Sequence, residues 1–291
     1  MPQIHERTFR VRHYECDTYG HLNGTNYLRY MQETAFDAAE AEGFGVHEHE
    51  RQGRVWFVRQ SGIEYLRPLV YNDPVQVTTW VESYRRVDLH RLYEFRKIGS
   101  DEPVARGYTD WIYLDRHTSR PLEIPEDLMA RFFPEGLPGR SAEREKIPAA
   151  PPPPEGAFHL RRRVEWRDID PLGHVNNAAY VAYAEDCGVQ VAAAFGWPMA
   201  RCTEAGFGII LRRSDIEYHR PARLDDELVT STWVSDFRRT NAIRHYFIKD
   251  AETGELLARV RGLYVWLDLE SSRPIQVPRD FREAFTANVV S

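Results

Sequence analysis

The sequence predicts an α+β fold written twice, each copy an antiparallel sheet wrapped round a long central helix. Three observations carry this. A fifteen-residue stretch recurs at an offset of 153 residues, a helix-spaced run follows each copy, and four strand-like runs with short turns follow each helix. The first copy of the stretch runs from His13 to Tyr27 and the second from Trp166 to Tyr180; Asp17, Gly20, His21, Asn23 and Tyr27 fall on Asp170, Gly173, His174, Asn176 and Tyr180. The register persists without a gap. Ile63-Glu64-Tyr65 meets Ile216-Glu217-Tyr218, Thr79-Trp80-Val81 meets Thr232-Trp233-Val234, and Ser119-Arg120-Pro121 meets Ser272-Arg273-Pro274. A period this long marks a duplicated domain and not a solenoid.

In chain order, Thr8 to Tyr14 alternates as a short strand. From Asn26, Tyr27-Leu28, Tyr30-Met31, Thr34-Ala35 and Ala38-Ala39 recur at helical spacing, predicting a central helix from Asn26 to Glu42; its second copy runs from Ala179 to Phe195. Both carry apolar residues on more than one face, as a wrapped helix does. Strands are predicted at Val55 to Leu66, Val75 to Arg86, Leu89 to Ile98 and Val104 to Leu114, then at Gly208 to His219, Leu228 to Arg239, Ala242 to Lys249 and Leu256 to Leu267. Short turns at Pro68, Asn72-Asp73-Pro74 and Gly99-Ser100-Asp101 make neighbours antiparallel. Residues 135–156 hold Pro148 and four consecutive prolines from Pro151 to Pro154, which reads as a semi-rigid linker with nothing to bury. The predicted domains are therefore 1–134 and 157–291.

Composition is that of a globular protein. A formal charge of -6 with scattered Lys and Arg argues against a nucleic-acid surface, and no apolar run approaches a membrane span. Cys16, Cys187 and Cys202 form no disulfide framework, which fits a reducing cytoplasm.

Each repeated stretch places an acid, an imidazole and an amide where a helix begins. Asp17 and Asp170 are the candidate catalytic carboxylates, as base or nucleophile; a turn-capping Asp is the plainer alternative. Glu15 and Asp168, two residues earlier, are expected to share a strand face with them, so one of each pair can be a structural partner. His21 and His174 are candidates to orient the acid or a water. Gly20 and Gly173 allow close approach of substrate to the backbone. Asn23 and Asn176 either cap the helix or meet substrate; Asn26, Tyr27 and Asn177 complete the expected substrate-facing set. Arg85-Arg86 and Arg238-Arg239 are candidates for phosphate contacts, against the commoner reading of solvated strand ends. Cys16 reads as a small half-buried residue, because the second copy has Ile169 there. His47-Glu48-His49-Glu50 lacks the His-Glu-x-x-His spacing of a helical zinc site, so neither metal nor cofactor is expected. Trp56, Phe57, Trp80, Tyr93 and Phe95 would line an apolar acyl pocket or fill the core.

Strand, Asp-x-x-Gly-His-x-Asn, helix, then Ile-Glu-Tyr-x-Arg-Pro before a meander resembles the hotdog-fold acyl thioesterases. The first copy is similar to the 4-hydroxybenzoyl-CoA thioesterase type, and the second, with Gly-His-Val-Asn-Asn, to the acyl-carrier-protein type. The resemblance implies two hotdog domains in tandem that pair within the chain, hydrolysis of acyl-CoA or acyl-carrier-protein thioesters, oxyanion donors at the helix N-terminus, a place in fatty acid metabolism, and a possible homodimer. Tandem plant acyl-carrier-protein thioesterases place an Asn two residues after the Asp, where this chain has Tyr19 and Leu172, and a Glu where it has Pro68 and Pro221. Rival readings are an enoyl-thioester hydratase, whose Asp and His stand five apart and not four, and an acyl-thioester binder without activity.

Overall fold

The computed structural model describes residues 1–137, 144 and 146–290 and divides into two compact units, 1–146 and 147–291. In the first unit, β1 (Ile4–Arg10) leads through a 3-10 turn (His13–Glu15) to α1 (Gly24–Ala41) and the short α2 (Val46–Arg51). Then come β2 (Arg54–Tyr65), β3 (Pro74–Tyr84), β4 (Asp88–Lys97), β5 (Pro103–Asp115) and α3 (Glu126–Phe132). The antiparallel sheet has the order β1-β3-β4-β5-β2. The second unit repeats this. Its elements are β6 (Phe158–Arg163), a 3-10 turn (Trp166–Asp168), α4 (Asn177–Ala194), α5 (Met199–Glu204), β7 (Phe207–Tyr218), β8 (Glu227–Ser235), β9 (Asn241–Asp250), β10 (Leu256–Asp268) and α6 (Arg279–Ala284). Its sheet order is β6-β8-β9-β10-β7.

Alternation explains the layering. In β3 and β4 the residues Val75, Val77, Thr79, Val81, Leu89, Arg91, Tyr93 and Phe95 are buried and their neighbours are not, so one sheet face is covered. The covering element is α1, of whose 18 residues half are buried, Tyr27, Leu28, Tyr30 and Met31 among them. The helix is wrapped, as its all-round apolar pattern predicts. No helix among the described residues is long and apolar enough to cross a membrane.

Three boundaries differ from the sequence expectation. The first strand is Ile4–Arg10 and not Thr8 to Tyr14, because pairing with β3 stops at Arg10↔Pro74 and the chain then tightens into the 3-10 turn. Strands β3 and β8 end at Tyr84 and Ser235, before their Arg pairs, and Asp236 turns at φ 47°. The central helices start at Gly24 and Asn177 because Asn23 and Asn176 cap them: each Oδ1 accepts the backbone N–H two residues on, at 2.9 and 3.0 Å.

The proline-rich stretch also does more than join. Residues 138–143 and 145 lie outside the described part, but Ile147 is buried and its carbonyl accepts Arg259 Nη2 at 3.2 Å. At the far end, Asn288 Nδ2 donates to the Gly156 carbonyl at 3.1 Å. A Cβ on Gly156 would lie 2.2 Å from the Ala287 carbonyl oxygen, so only glycine fits that approach. From Ile147 the stretch is thus packed on the second unit, contrary to the expectation of a segment with nothing to bury.

The helices α3, α5 and α6 were not legible as periodic runs, and α6 closes the second core. Phe281, 2 % exposed, stacks on Phe285 at 4.6 Å and meets Trp197 and Trp266 at 5.4 Å each. Phe281→Ala should cost about 3–5 kcal/mol by transfer and cavity terms together. Chemical denaturation measures this, and a loss below about 1 kcal/mol would contradict the packing described.

Candidate active site

Each repeated stretch folds as a tight turn held by the Asp itself. In the first unit Asp17 N–H donates to the His21 carbonyl at 2.8 Å, and Gly20 N–H returns to the Asp17 carbonyl at 3.0 Å. Asp17 Oδ1 accepts the backbone N–H groups of Tyr19 and His21 at 2.9 and 3.1 Å. In the second unit Asp170 N–H meets the His174 carbonyl at 2.9 Å, Gly173 N–H meets the Asp170 carbonyl at 2.9 Å, and Asp170 Oδ1 accepts Leu172 N–H at 2.9 Å. Gly20 and Gly173 sit at φ 77° and 80°, with open space where a Cβ would stand. Backbone conformation, and not close approach of another group in the fold, is what requires glycine there.

The turn is docked on both sides. His21 bridges Val70, and Leu22 N–H donates to the Leu69 carbonyl at 2.7 Å; Val175 N–H donates to Ala222 at 2.9 Å in the other copy. Beneath it, Glu15 is buried, and Oε2 accepts the Tyr30 hydroxyl of α1 at 2.6 Å and the Arg12 N–H at 2.8 Å. Asp168 Oδ2 accepts the Tyr183 hydroxyl of α4 at 2.7 Å. Burial, reinforced by these carboxylates, raises both phenols far above their ordinary range, so they remain donors. Glu15 and Asp168 therefore fasten the central helix to the turn. They stand in 3-10 turns, which corrects the expectation that they share a strand face with Asp17 and Asp170.

Most of the expected substrate-facing residues are used by the fold. Asn26 donates from Nδ2 to the Glu15 carbonyl at 3.0 Å and accepts Arg29 Nη1 at 3.0 Å. Tyr27 is buried with its ring edge-on to Tyr65 at 5.1 Å, and its counterpart Tyr180 accepts Ala222 N–H at 2.8 Å. Asn177 opens α4, and its carbonyl accepts the Tyr218 hydroxyl at 3.0 Å, as the Gly24 carbonyl accepts Tyr65 at 3.2 Å. Among the first amides of α1, Thr25 N–H goes to the Asn23 side chain and Asn26 N–H to the Asn23 carbonyl at 3.0 Å. The Gly24 N–H, and by symmetry that of Asn177, is the first-turn donor not committed to the cap. The hydroxyls of Tyr65 and Tyr218 pin those residues, a role sequence reasoning missed although both tyrosines stood in the repeated Ile-Glu-Tyr string.

The arginine pairs are not gathered with the acids. β3 runs from Pro74 to Tyr84, roughly 33 Å of strand, before the chain reaches Arg85-Arg86. Arg86 pairs with Glu123 at 3.4 Å, and Arg238-Arg239 occupy the equivalent hairpin of the second unit. Within each unit they stand apart from the Asp turn. The aromatic set is split likewise: Tyr93 and Phe95 face α1, whereas Trp80 lies on the other sheet face. Cys16 has its thiol raised by burial first and then by Asp17, so it is no thiolate. His49 is buried and accepts Trp56 Nε1 at 3.1 Å, while His47 is exposed.

His174 is half-buried with Nδ1 3.5 Å from Asp170 Oδ1. Burial lowers its pKa, with Asp170 opposing and Arg223 adding to the shift.

Two five-stranded antiparallel sheets, each wrapped on one long helix, with a turn of Asp, Gly and His feeding that helix, define a tandem hotdog protein. The sequence profile of the Thioesterase-like superfamily matches residues 11–132 and 164–285, and the chain belongs to that superfamily. It is 24% identical over 251 residues to a chloroplastic palmitoyl-acyl carrier protein thioesterase of Gossypium hirsutum, covering 82% of this chain and 57% of that one. A chloroplastic oleoyl-acyl carrier protein thioesterase of Coriandrum sativum is 23% identical, over 62% of this chain and 52% of the relative. The chain thus spans about half the length of these curated relatives. Among solved structures, a putative oleoyl thioesterase of Lactobacillus plantarum has the same fold, with TM-score 0.78 and 18% identity over 91% of this chain and 96% of that one. So has the 12:0-ACP thioesterase of Umbellularia californica, with TM-score 0.70 and 21% identity over 93% and 97%.

A histidine depressed in the folded state takes up its proton more readily when unfolded, so its contribution to stability is full above the ordinary 6.5 and is lost as pH falls below that value and through the lower folded one. The His174 ring should titrate below 6.5 by NMR. A midpoint above 6.5 would place Asp170, and not burial, in control of it.

Proposed function

We propose that the chain hydrolyses acyl thioesters at the two repeated turns, with acyl-CoA as the expected substrate and acyl-carrier protein as the alternative carrier. One observation supports this above the rest. Both copies place a carboxylate in the turn that leads into a central helix, seven residues before its first residue, and both keep it through extensive divergence elsewhere. Oδ1 is tied to two backbone N–H groups in the first turn and one in the second, which leaves Oδ2 of Asp17 or Asp170 to take a proton from water. The resulting hydroxide attacks the thioester carbonyl. The oxyanion that forms accepts the N–H of Gly24 or Asn177, aided by the positive end of the helix. Collapse breaks the C–S bond, and the leaving thiolate takes up the proton. His21 and His174 orient the turn, and His174 lies against the carboxylate it would steady.

The names of the relatives, palmitoyl, oleoyl and 12:0 thioesterases, support a medium or long acyl chain. Thiol release at sub-saturating substrate should be faster from dodecanoyl-CoA than from acetyl-CoA, and the reverse order would count against an apolar acyl site.

Asparagine is the informative replacement, because its amide oxygen still accepts the turn's N–H groups while no longer taking a proton. Asp170→Asn alone should leave the activity of the first site. Together with Asp17→Asn it should lower hydrolysis by roughly 10²–10⁴-fold, the usual worth of a general base. A double variant that is folded by circular dichroism and runs near the wild-type rate overturns the carboxylate mechanism.

A further inference from the structure

The second unit has a cleft of about 450 Å³ well away from its Asp170 turn. It lies where β8 ends and β9 begins, whereas the turn follows β6, whose last residue, Arg163, pairs with the start of β8 at Glu227. Tyr246 packs towards Gly188 of α4, so His245 beside it points to the opposite sheet face. One wall of the cleft is the packed stretch 148–151; Ile243 and Val290 extend its apolar surface, and Ser235, Asp236, His245 and Arg261 supply its polar groups.

The register lines these groups up. Asp215 pairs with Arg261, Arg261 with His245, and His245 with Trp233, giving one row across four strands. In the first unit the same row reads Gly62, Tyr108, Leu92 and Trp80. The fold therefore needs only the tryptophan, and the charged and polar members belong to the second copy alone.

Two chemistries suggest themselves. Ser235 Oγ lies 2.8 Å from His245 Nε2, the spacing of a nucleophile and its base. The base is too weak: burial first, then the charge of Arg261, lower the imidazole to about 4. Near neutral pH it hardly takes a proton from a hydroxyl, so a second hydrolytic centre does not follow. Binding does. Asp215 is held by Arg213 at 3.0 and 3.2 Å, and Arg261 stands 3.7 Å from it, beyond a hydrogen bond. Arg261 Nη1 is thus ion-paired with Asp215 Oδ2 without a direct hydrogen bond, and its guanidinium, about a fifth exposed, also lines the cleft, where a ligand can reach it. Asp236 Oδ2, which accepts Ser235 Oγ at 3.3 Å, repels an anion at its own end of the cleft, which leaves the Arg261 end as the seat for a single carboxylate.

We propose that this cleft binds a monocarboxylate with a short hydrocarbon tail, the carboxylate on Arg261 and the tail on Ile243, Val290 and the proline-rich wall. The volume suits a small ligand, and planar carboxylate is what a guanidinium fork matches best. Such an acid is the product class of the hydrolysis proposed above, which would make the cleft a product-sensing site. The binding itself rests on the cleft and is measured without any substrate.

Calorimetric titration of the full chain with octanoate tests this. Octanoate should bind saturably and more tightly than 1-octanol, and Arg261→Met should weaken it by at least about tenfold, the loss expected of a charge-assisted pair. Ile243→Trp, which fills the cleft and keeps the charge, should do the same, so the test survives a misfolded Arg261→Met. Absent saturation, or equal affinity in the wild type and a folded variant, overturns the proposal. So does binding that persists in these variants and vanishes in Asp17→Asn with Asp170→Asn, which would place the acid at the repeated turns.

Discussion

One carboxylate oxygen organises each half of this protein. Oδ1 of Asp17 accepts backbone N–H groups two and four residues ahead, and Oδ1 of Asp170 does so two ahead, so the side chain closes the turn it stands in. The turn then sets where the helix begins: Asn23 N–H donates to Glu15 and Asn176 N–H to Asp168, both at the foot of the turn, at 2.9 and 2.8 Å. Beneath, the hydroxyls of Tyr30 and Tyr183 lock helix to turn through the same two acids. Hydrogen bonds to charged groups are each worth roughly 1.5–3 kcal/mol. The acid proposed as the base is therefore also a fold element, and closing the turn is by itself one reason for both copies to keep it.

Duplication makes the two units internal controls for one another. What both retain is scaffold or shared chemistry: the turn, the capped helix, the tyrosine pinned to its first residue, and an inward arginine at Arg91 and Arg244 beside Thr79 and Thr232. What only one retains is free to serve another end. Asp215, Arg261 and His245 in the row that ends on the shared tryptophan are such a case, and so is the first unit's pair of His90 and Asp110, joined at 2.6 Å and roofed by Arg144.

The repeat, the central helices and the eight strands after them were legible because their signals are local and appear twice. The first strand was misplaced because its limits are set by β3, seventy residues away, whose pairing ends at Pro74. The helix α6 is six residues long, too short for a period, and is held by rings from the α4–α5 connection, β7 and β10. At the candidate site, the turn-closing role open to Asp17 and Asp170 and the capping by Asn23 and Asn176 were readable from residue type and spacing. The duties of Tyr65 and Tyr218 were not, since each bonds a carbonyl 41 residues back. Glu15 and Asp168 were read on the wrong geometry because a 3-10 turn replaces the alternation assumed there.

The central claim is that water attacks the thioester while the Asp holds its proton. A single turnover of dodecanoyl-CoA, with protein in excess and the water labelled in its oxygen, tests this most directly. The account predicts label in the released acid and none in peptides containing Asp17 or Asp170. Label in either aspartate, with an unlabelled acid, would make the carboxylate the nucleophile and contradict the account.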